Sequence, residues 1–260
     1  MNASAGITAA VITLNEAANI TGCLETLGWA GEMLVMDGGS PDDTVARAQT
    51  CGARVLHRPF DTFARQRNHT LDAAIHPWVF FVDADERVPP LLAGEIAALV
   101  ATPGAMWSGA TVPRRNLMLG AWVRHGGWWP DHQFRLLHRG QARYDEHRDP
   151  HELVSSEGPV AALHHPLIHY NYDSVSQLFA KQRGYSLREA RSHLADGDRL
   201  PLRSLFTGPV REFWRRYVTL RGCRDGPIGL LLAVAMAWSR VEVWRATQAT
   251  DHQVPRRGGS

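Results

Sequence analysis

The chain has 260 residues, enough for one catalytic domain with an appendage, and 44% hydrophobic against 21% charged residues is ordinary for a globular protein. A net charge of +2 argues against a general nucleic-acid binder, and Lys181 is the single lysine among 28 basic residues, which leaves little scope for Schiff-base chemistry. Cys23, Cys51 and Cys223 are odd in number and lack C-x-x-C spacing, so neither a disulfide framework nor a structural zinc site is expected and a reducing cytoplasm fits.

Along the first hundred residues, short apolar runs alternate with helical patterns, the signature of stacked βαβ units on a parallel sheet. Strands are predicted at Ile7 to Leu14, Glu32 to Asp37, Ala53 to His57 and Trp78 to Asp83. Helices are predicted at Ala17 to Leu27, Asp42 to Cys51, Phe63 to Ala74 and Leu91 to Val100. From Ala105 to His169 the alternation lapses into what reads as short strands and long loops rich in glycine, tryptophan and histidine. The remainder reads as helical and arginine-rich, and residues 253–260 as a disordered tail. No basic segment followed by an apolar run opens the chain, and no apolar stretch reaches the roughly 18 residues that span a bilayer.

Chemistry concentrates at the strand ends. Asp83 and Asp85 follow an apolar strand at i and i+2, where ligands bind in open α/β sheets, and hard oxygen ligands suit Mg²⁺ or Mn²⁺ carrying a diphosphate. Asp37 closes a second strand and is followed by Gly38-Gly39-Ser40, while Thr13-Leu14-Asn15-Glu16 closes the first. Neither G-x-G-x-x-G after the first strand nor G-x-x-x-x-G-K-[ST] is present, so dinucleotide redox chemistry and P-loop phosphoryl transfer lose their usual support.

Four segments in order, Ala10-Val-Ile-Thr-Leu-Asn15-Glu16, Leu34-Val-Met-Asp37-Gly-Gly-Ser40, Phe63-Ala-Arg65-Gln66-Arg67-Asn68 and Phe81-Val-Asp83-Ala-Asp85-Glu86, resemble the family 2 glycosyltransferases of GT-A fold. His125-Gly-Gly-Trp-Trp-Pro130-Asp131, Gln133-Phe-Arg135, Pro150-His151-Glu152 and Arg221-Gly-Cys-Arg-Asp225-Gly-Pro-Ile-Gly are similar to the lipopolysaccharide core β-glucosyltransferases. The resemblance implies an α/β Rossmann-like, mostly parallel sheet with helices on both faces. It divides the chain into a catalytic domain over 1–172, with a nucleotide-sugar half at 1–104 and an acceptor-side half at 105–172, and a helical extension at 173–252. It implies that Asn15, Glu16 and Asp37 lie around the base and ribose of a uridine-type nucleotide with Thr13 also in the donor site, that Arg65 and Asn68 match the family's R-Q-R-N segment whose basic residue faces donor phosphate, and that Asp83 sits near the ribose and the metal, Mn²⁺ or Mg²⁺, with Asp85 as its principal ligand.

The implied reaction is inverting transfer of one hexose, glucose in the subgroup, from a UDP-sugar to a lipopolysaccharide-core or other lipid-linked acceptor, with Glu152 or Asp131 as general base. Glu152 is favoured because the resemblance sets it beside the acceptor, whereas Asp131 could pair with Arg135. No Q-x-x-R-W is present, which favours transfer of a single sugar over processive synthesis. Alternatives are a polyprenyl-phosphate sugar transferase and an inactive nucleotide-sugar-binding protein. Eight of the thirteen histidines fall between His125 and His169, where loop packing, hydrogen bonding or acceptor contact is expected rather than zinc. Trp128 and Trp129 suit a sugar platform or core packing equally. Arginines interleave Phe206, Val210 and Trp214 at helical spacing ahead of an apolar run at Gly226 to Trp238, too short to span but suited to an anionic membrane interface. The expected location is therefore the cytoplasm, peripheral on the inner face of the cytoplasmic membrane.

Overall fold

The computed structural model describes residues 4–102, 107–146, 153–198 and 200–249. In chain order the first elements are β1 (Ser4–Thr13), α1 (Ile20–Leu24), β2 (Ala30–Asp37), α2 (Thr44–Thr50), β3 (Arg54–His57), α3 (Phe63–Ala73), β4 (Trp78–Asp83), β5 (Glu86–Arg87) and α4 (Pro90–Ala101). There follow β6 (Gly109–Met118), β7 (Ala121–Trp122), β8 (Asp131–His138), β9 (Ala142–Tyr144), β10 (Val154–Ser156), β11 (Val160–Ala162) and β12 (Leu167–Tyr172). The chain then becomes helical, with α5 (Val175–Ala195), α6 (Leu202–Trp214), a π turn (Arg215–Thr219), a 3-10 turn (Gly222–Asp225) and α7 (Gly226–Ala249).

The main sheet runs β3-β2-β1-β4-β8-β6-β12-β5. Its first four strands are mutually parallel, and β8 then joins β4 antiparallel. Side chains alternate faces along a strand, and β4 shows the consequence. Phe80 and Val82 pack with Ile20, Leu24, Leu92 and Ile96 of α1 and α4, while Val79 and Phe81 pack with Ala64 and Leu71 of α3. Helices therefore cover both faces, which is why β1 and β4 read as continuous apolar runs.

Two sequence expectations for residues 4–172 need correction. The first helix spans only Ile20–Leu24, because the residues before it form a turn in which the Asn19 and Ile20 amides both donate to the Glu16 carbonyl. The middle segment holds strands of ten and eight residues, β6 and β8, paired antiparallel from Gly109↔Leu137 to Arg114↔Asp131. Their alternation was hidden because Pro113, Arg114, Arg115 and Asn116 occupy strand positions that usually carry β-branched or apolar residues.

The chain forms two compact units, Met1–Asn116 with Pro130–Asn171, and Leu117–Trp129 with Tyr172–Ser260. In the second, Met118, Val123, Tyr172, Leu178, Leu232 and Ala235 form the core, and α7 packs on α5 and α6. The 3-10 turn and the first turn of α7 each require a glycine: a Cβ on Gly229 would overlap the Gly222 carbonyl, and one on Gly222 would lie 2.6 Å from the Arg216 carbonyl. Asp225 in that turn accepts from the His125 amide at 2.8 Å and meets the His125 ring at 2.9 Å, so the Arg221 to Gly229 motif clasps the His125-Gly-Gly loop. Trp128 lies against Arg216, 4.9 Å from ring centre to guanidinium, and Trp129 meets Trp122 edge-on.

The apolar run at Gly226 to Trp238 is also longer as a helix than expected. Residues Gly222–Ala249 are long and apolar enough to cross a bilayer by length and composition, a property that core helices of soluble proteins share. Leu232, Ala235, Ser239 and Val243 of α7 are buried.

Candidate functional site

Parallel pairing brings three strand ends level. Thr13 at the end of β1 is opposite Asp37 of β2, and Ile12 is opposite Asp83 of β4. Two loops rise from these ends and are tied together. The Asn15 amide donates to Ser40 Oγ at 2.9 Å, the Glu16 amide to Thr44 Oγ1 at 2.9 Å and the Ala17 amide to Asp42 at 3.3 Å. Asn15 adopts φ 60°, the left-handed region that asparagine tolerates better than most residues.

Asp37 is 1% exposed and faces its own loop. It accepts from the amides of Gly39 and Ser40 and from Ser40 Oγ, with His57 Nδ1 at 3.3 Å. Burial would raise its carboxyl, but those donors outweigh it and the net shift is downward. Asp37 thus shapes the loop that follows it. The Thr13 hydroxyl, buried beside it, has no hydrogen-bond partner among the described residues.

The Arg65-Gln-Arg-Asn68 segment lies on α3. Arg65 is 53% exposed, 3.5 Å from Glu146 and 3.8 Å from Asp61. Asn68 is buried and holds Tyr144 in β9 through both its backbone amide and its carbonyl, each at 3.0 Å. Arg67 is the member that turns toward the strand ends. Its guanidinium lies 5.4 Å from the ring centres of both Phe81 and Tyr144 and reaches Asp83 at 3.3 Å.

The two acids beyond β4 differ sharply. Asp83 accepts from both terminal nitrogens of Arg135, at 3.1 and 2.5 Å, as well as from Arg67. Burial opposes its ionisation, but the charges of Arg135 and Arg67 more than offset this and hold its carboxyl far below the usual carboxylate range. Arg135 also donates to the fully buried Glu86 at 2.8 Å, and Glu86 in turn accepts from the Asp83 amide at 2.9 Å. The turn is therefore locked from below.

Asp85 instead faces His169 on β12, with Oδ2 3.5 Å from Nε2. The tautomer follows from the partner on the other side. His169 Nδ1 is 2.7 Å from Asn116 Oδ1, which can only accept, and the Asn116 amide nitrogen points to Asp131, which fixes the flip. Nδ1 therefore carries a proton, which leaves Nε2 as the ring nitrogen that faces the Asp85 carboxylate. The Tyr170 amide donates to the Asp85 carbonyl at 2.9 Å and so fixes the turn against β12.

Asp131, one of two expected bases, is paired with Arg114 at 2.6 and 2.9 Å and also accepts from Gln133 and Asn116. The expected partner Arg135 belongs to Asp83 instead. Burial would raise the Asp131 carboxyl, yet Arg114 and the amides pull it below its ordinary value. Glu152, the other expected base, lies outside the described residues.

Among the described residues no group of three or more His, Cys, Asp or Glu could enclose a metal. His165 pairs with Glu95 at 2.9 Å, away from His169. A carboxylate and an imidazole nitrogen are nonetheless an acceptable partial donor set for a divalent ion whose remaining positions are filled by substrate phosphate and water. Sequence reasoning missed His169, Asn116, Arg114, Arg135 and Arg67. Arg67 and Arg135 stood inside quoted motifs, whereas His169 carried no local signal beyond its place in an alternating strand.

Comparison with known proteins identifies the family. Residues 8–154 match the sequence model of Glycosyl transferase family 2. The lipopolysaccharide core biosynthesis glycosyltransferase LpsC of Rhizobium meliloti (strain 1021) is 29% identical over 242 residues, 89% of this chain and 87% of that protein. An uncharacterized glycosyltransferase of Rickettsia felis is 25% identical over 90% of this chain and 86% of that protein. Glucosyl-3-phosphoglycerate synthase from Mycobacterium tuberculosis, solved with Mn²⁺, UDP and glucosyl-3-phosphoglycerate, overlaps with TM-score 0.37 and 28% identity over 42% of this chain and 44% of that one, too partial to transfer function. With its GT-A sheet and a family match over more than half its length, the chain belongs to glycosyl transferase family 2 and is a glycosyltransferase.

Proposed function

We propose that the protein catalyses inverting, metal-dependent transfer of one hexose, glucose, from a UDP-sugar to a lipopolysaccharide-core or other lipid-linked glycan acceptor. It acts at the cytoplasmic side of the membrane. The observation that carries the metal dependence is the pair Asp85 and His169, aimed at each other beyond the end of β4. Similarity to the LpsC protein over nearly the whole chain supports the acceptor class.

In this reading Asp85 and His169 hold Mn²⁺ or Mg²⁺, and the ion, when bound, offsets charge developing on the departing diphosphate. Asp83 supports the site without ligating, because its oxygens already serve Arg135 and Arg67. Gly39 and Ser40, with Asn15 and Glu16 opposite, form the wall for the nucleotide base and ribose, and Arg65 is the exposed cation available to donor phosphate. Glu152 is the general base that takes the proton from the attacking acceptor hydroxyl, since Asp131 is engaged by three partners.

The test combines thermal unfolding against a panel of nucleotide sugars, with and without Mn²⁺, and UDP release with deacylated lipopolysaccharide core as acceptor. UDP-glucose with Mn²⁺ should raise the unfolding temperature by several degrees. Asp85→Ala should remain folded, lose that stabilisation and turn over at least ~10³-fold more slowly. Full turnover in excess chelator, or by Asp85→Ala, would refute the reading.

A further inference from the structure

Leu202, Phe206, Val210, Trp214 and Val218 recur every four residues along α6 and the π turn that continues it. Residues four apart on a helix are neighbours, and a row of them winds slowly about the axis, by about 40° per step, so these five side chains form a continuous, inclined apolar ridge. They are 65, 67, 70, 61 and 42% exposed. A helix of a globular protein ordinarily turns such a row inward, whereas α6 has no buried residue and presents it to solvent.

Beside the ridge runs a second row, Arg203, Thr207, Arg211 and Arg215, and the two rows border an open groove of ≈ 660 Å³. Arg215 and Arg216 share Glu212, but neither Arg203 nor Arg211 has a carboxylate partner among the described residues. Residues 202–221 contain five arginines and one glutamate, a net charge of +4.

We propose that this ridge is the docking surface for an anionic lipid bilayer. Its apolar side chains enter the boundary between headgroups and acyl chains, and Arg203 and Arg211 meet lipid phosphates. Charge decides between this occupant and a second copy of the chain, since a two-fold interface would set +4 against +4. The role is narrower than insertion of the apolar α7, whose Leu232, Ala235, Ser239 and Val243 are committed to the interior. It rests on the lipid-linked acceptor only for its biological setting, and its test uses neither donor nor acceptor.

Full-length protein is floated with phosphatidylcholine vesicles lacking or containing phosphatidylglycerol, at low and high salt. Wild type should float with the anionic vesicles only and be released by salt. Arg203→Gln with Arg211→Gln should weaken binding roughly 30-fold, from about 1 kcal/mol per arginine. Phe206→Ser with Trp214→Ser should weaken it at least ~10-fold, while Leu91→Ser, an equally exposed residue elsewhere, should change nothing. Should the ridge variants unfold, hydrogen exchange of wild-type peptides covering 202–218 gives the same answer, with protection appearing only when anionic vesicles are added. The proposal is overturned if wild type ignores anionic vesicles, if bound protein resists salt, or if the ridge variants float normally but convert a dimer to a monomer.

Discussion

Arginine works in opposite ways in the two units. Around the strand ends Arg67, Arg114 and Arg135 face inward and are closed by Asp83, Glu86 and Asp131, so their charge is spent on holding β4, β6 and β8 in place. Along α6, Arg203 and Arg211 face outward, parallel to an apolar ridge, with no partner among the described residues. An arginine closed by buried carboxylates is architecture, and one left open beside exposed apolar side chains is available to something outside the molecule. The sequence alone does not separate the two, because both kinds sit among apolar residues.

Arg135→Met gives the largest effect expected on stability. It strands Asp83 and the fully buried Glu86 without their shared cation, and breaking one side of a buried pair typically costs about 3–5 kcal/mol. Urea unfolding should show that loss, whereas Arg203→Met should change stability by less than ~0.5 kcal/mol. Equal losses would erase the distinction between the two arginine classes.

The same contrast explains what could be read in advance. The parallel half was legible because β1, β2 and β4 are buried on both faces and end in polar residues, a pattern carried by neighbouring positions. The ion-pair chain was not, since Arg135 meets Asp83 across 52 residues and His169 meets Asn116 across 53, and no local spacing encodes such pairings. Arg65 and Asn68 are expected in the donor site, Arg65 facing phosphate, because they belong to a motif. The structure turns Arg65 to solvent, packs Asn68 on β9 and puts Arg67 beside Asp83. Which face of α3 each residue takes depends on the helix's rotation against the sheet, which the sequence motif leaves unspecified.

Asn116→Ala sharpens the comparison from the inward side. It removes the acceptor that sets the His169 tautomer, and loss of such a supporting contact typically weakens metal binding by about 10- to 100-fold. Titration of Mn²⁺ followed by paramagnetic resonance checks this without turnover. Unchanged affinity would mean that Asp85 alone carries the ion.

Glu212 supplies the smallest effect and probes the outward unit. Burial would raise its carboxyl, but Arg215 and Arg216 pull it down to about 2 from an ordinary 4.5. A depressed carboxyl stabilises the fold above its unfolded value and loses that contribution as pH falls through its folded one. Glu212→Gln should therefore lower stability by about 1 kcal/mol near neutral pH, and the difference should vanish between pH 4.5 and 2. A gap in unfolding temperature that persists at the acid end would assign the effect to packing.

The loops above β1 and β2 are stitched to each other by Ser40, Thr44 and Asp42, which accept from the amides of three consecutive residues, Asn15, Glu16 and Ala17. Ordering those backbones costs conformational entropy once, during folding, and does not have to be repeated at each encounter with a ligand. The pair of loops, the proposed nucleotide wall, is consequently preorganised. Binding there should follow a single fast step at a rate set by collision and charge, without the lag of a loop that must first find its shape.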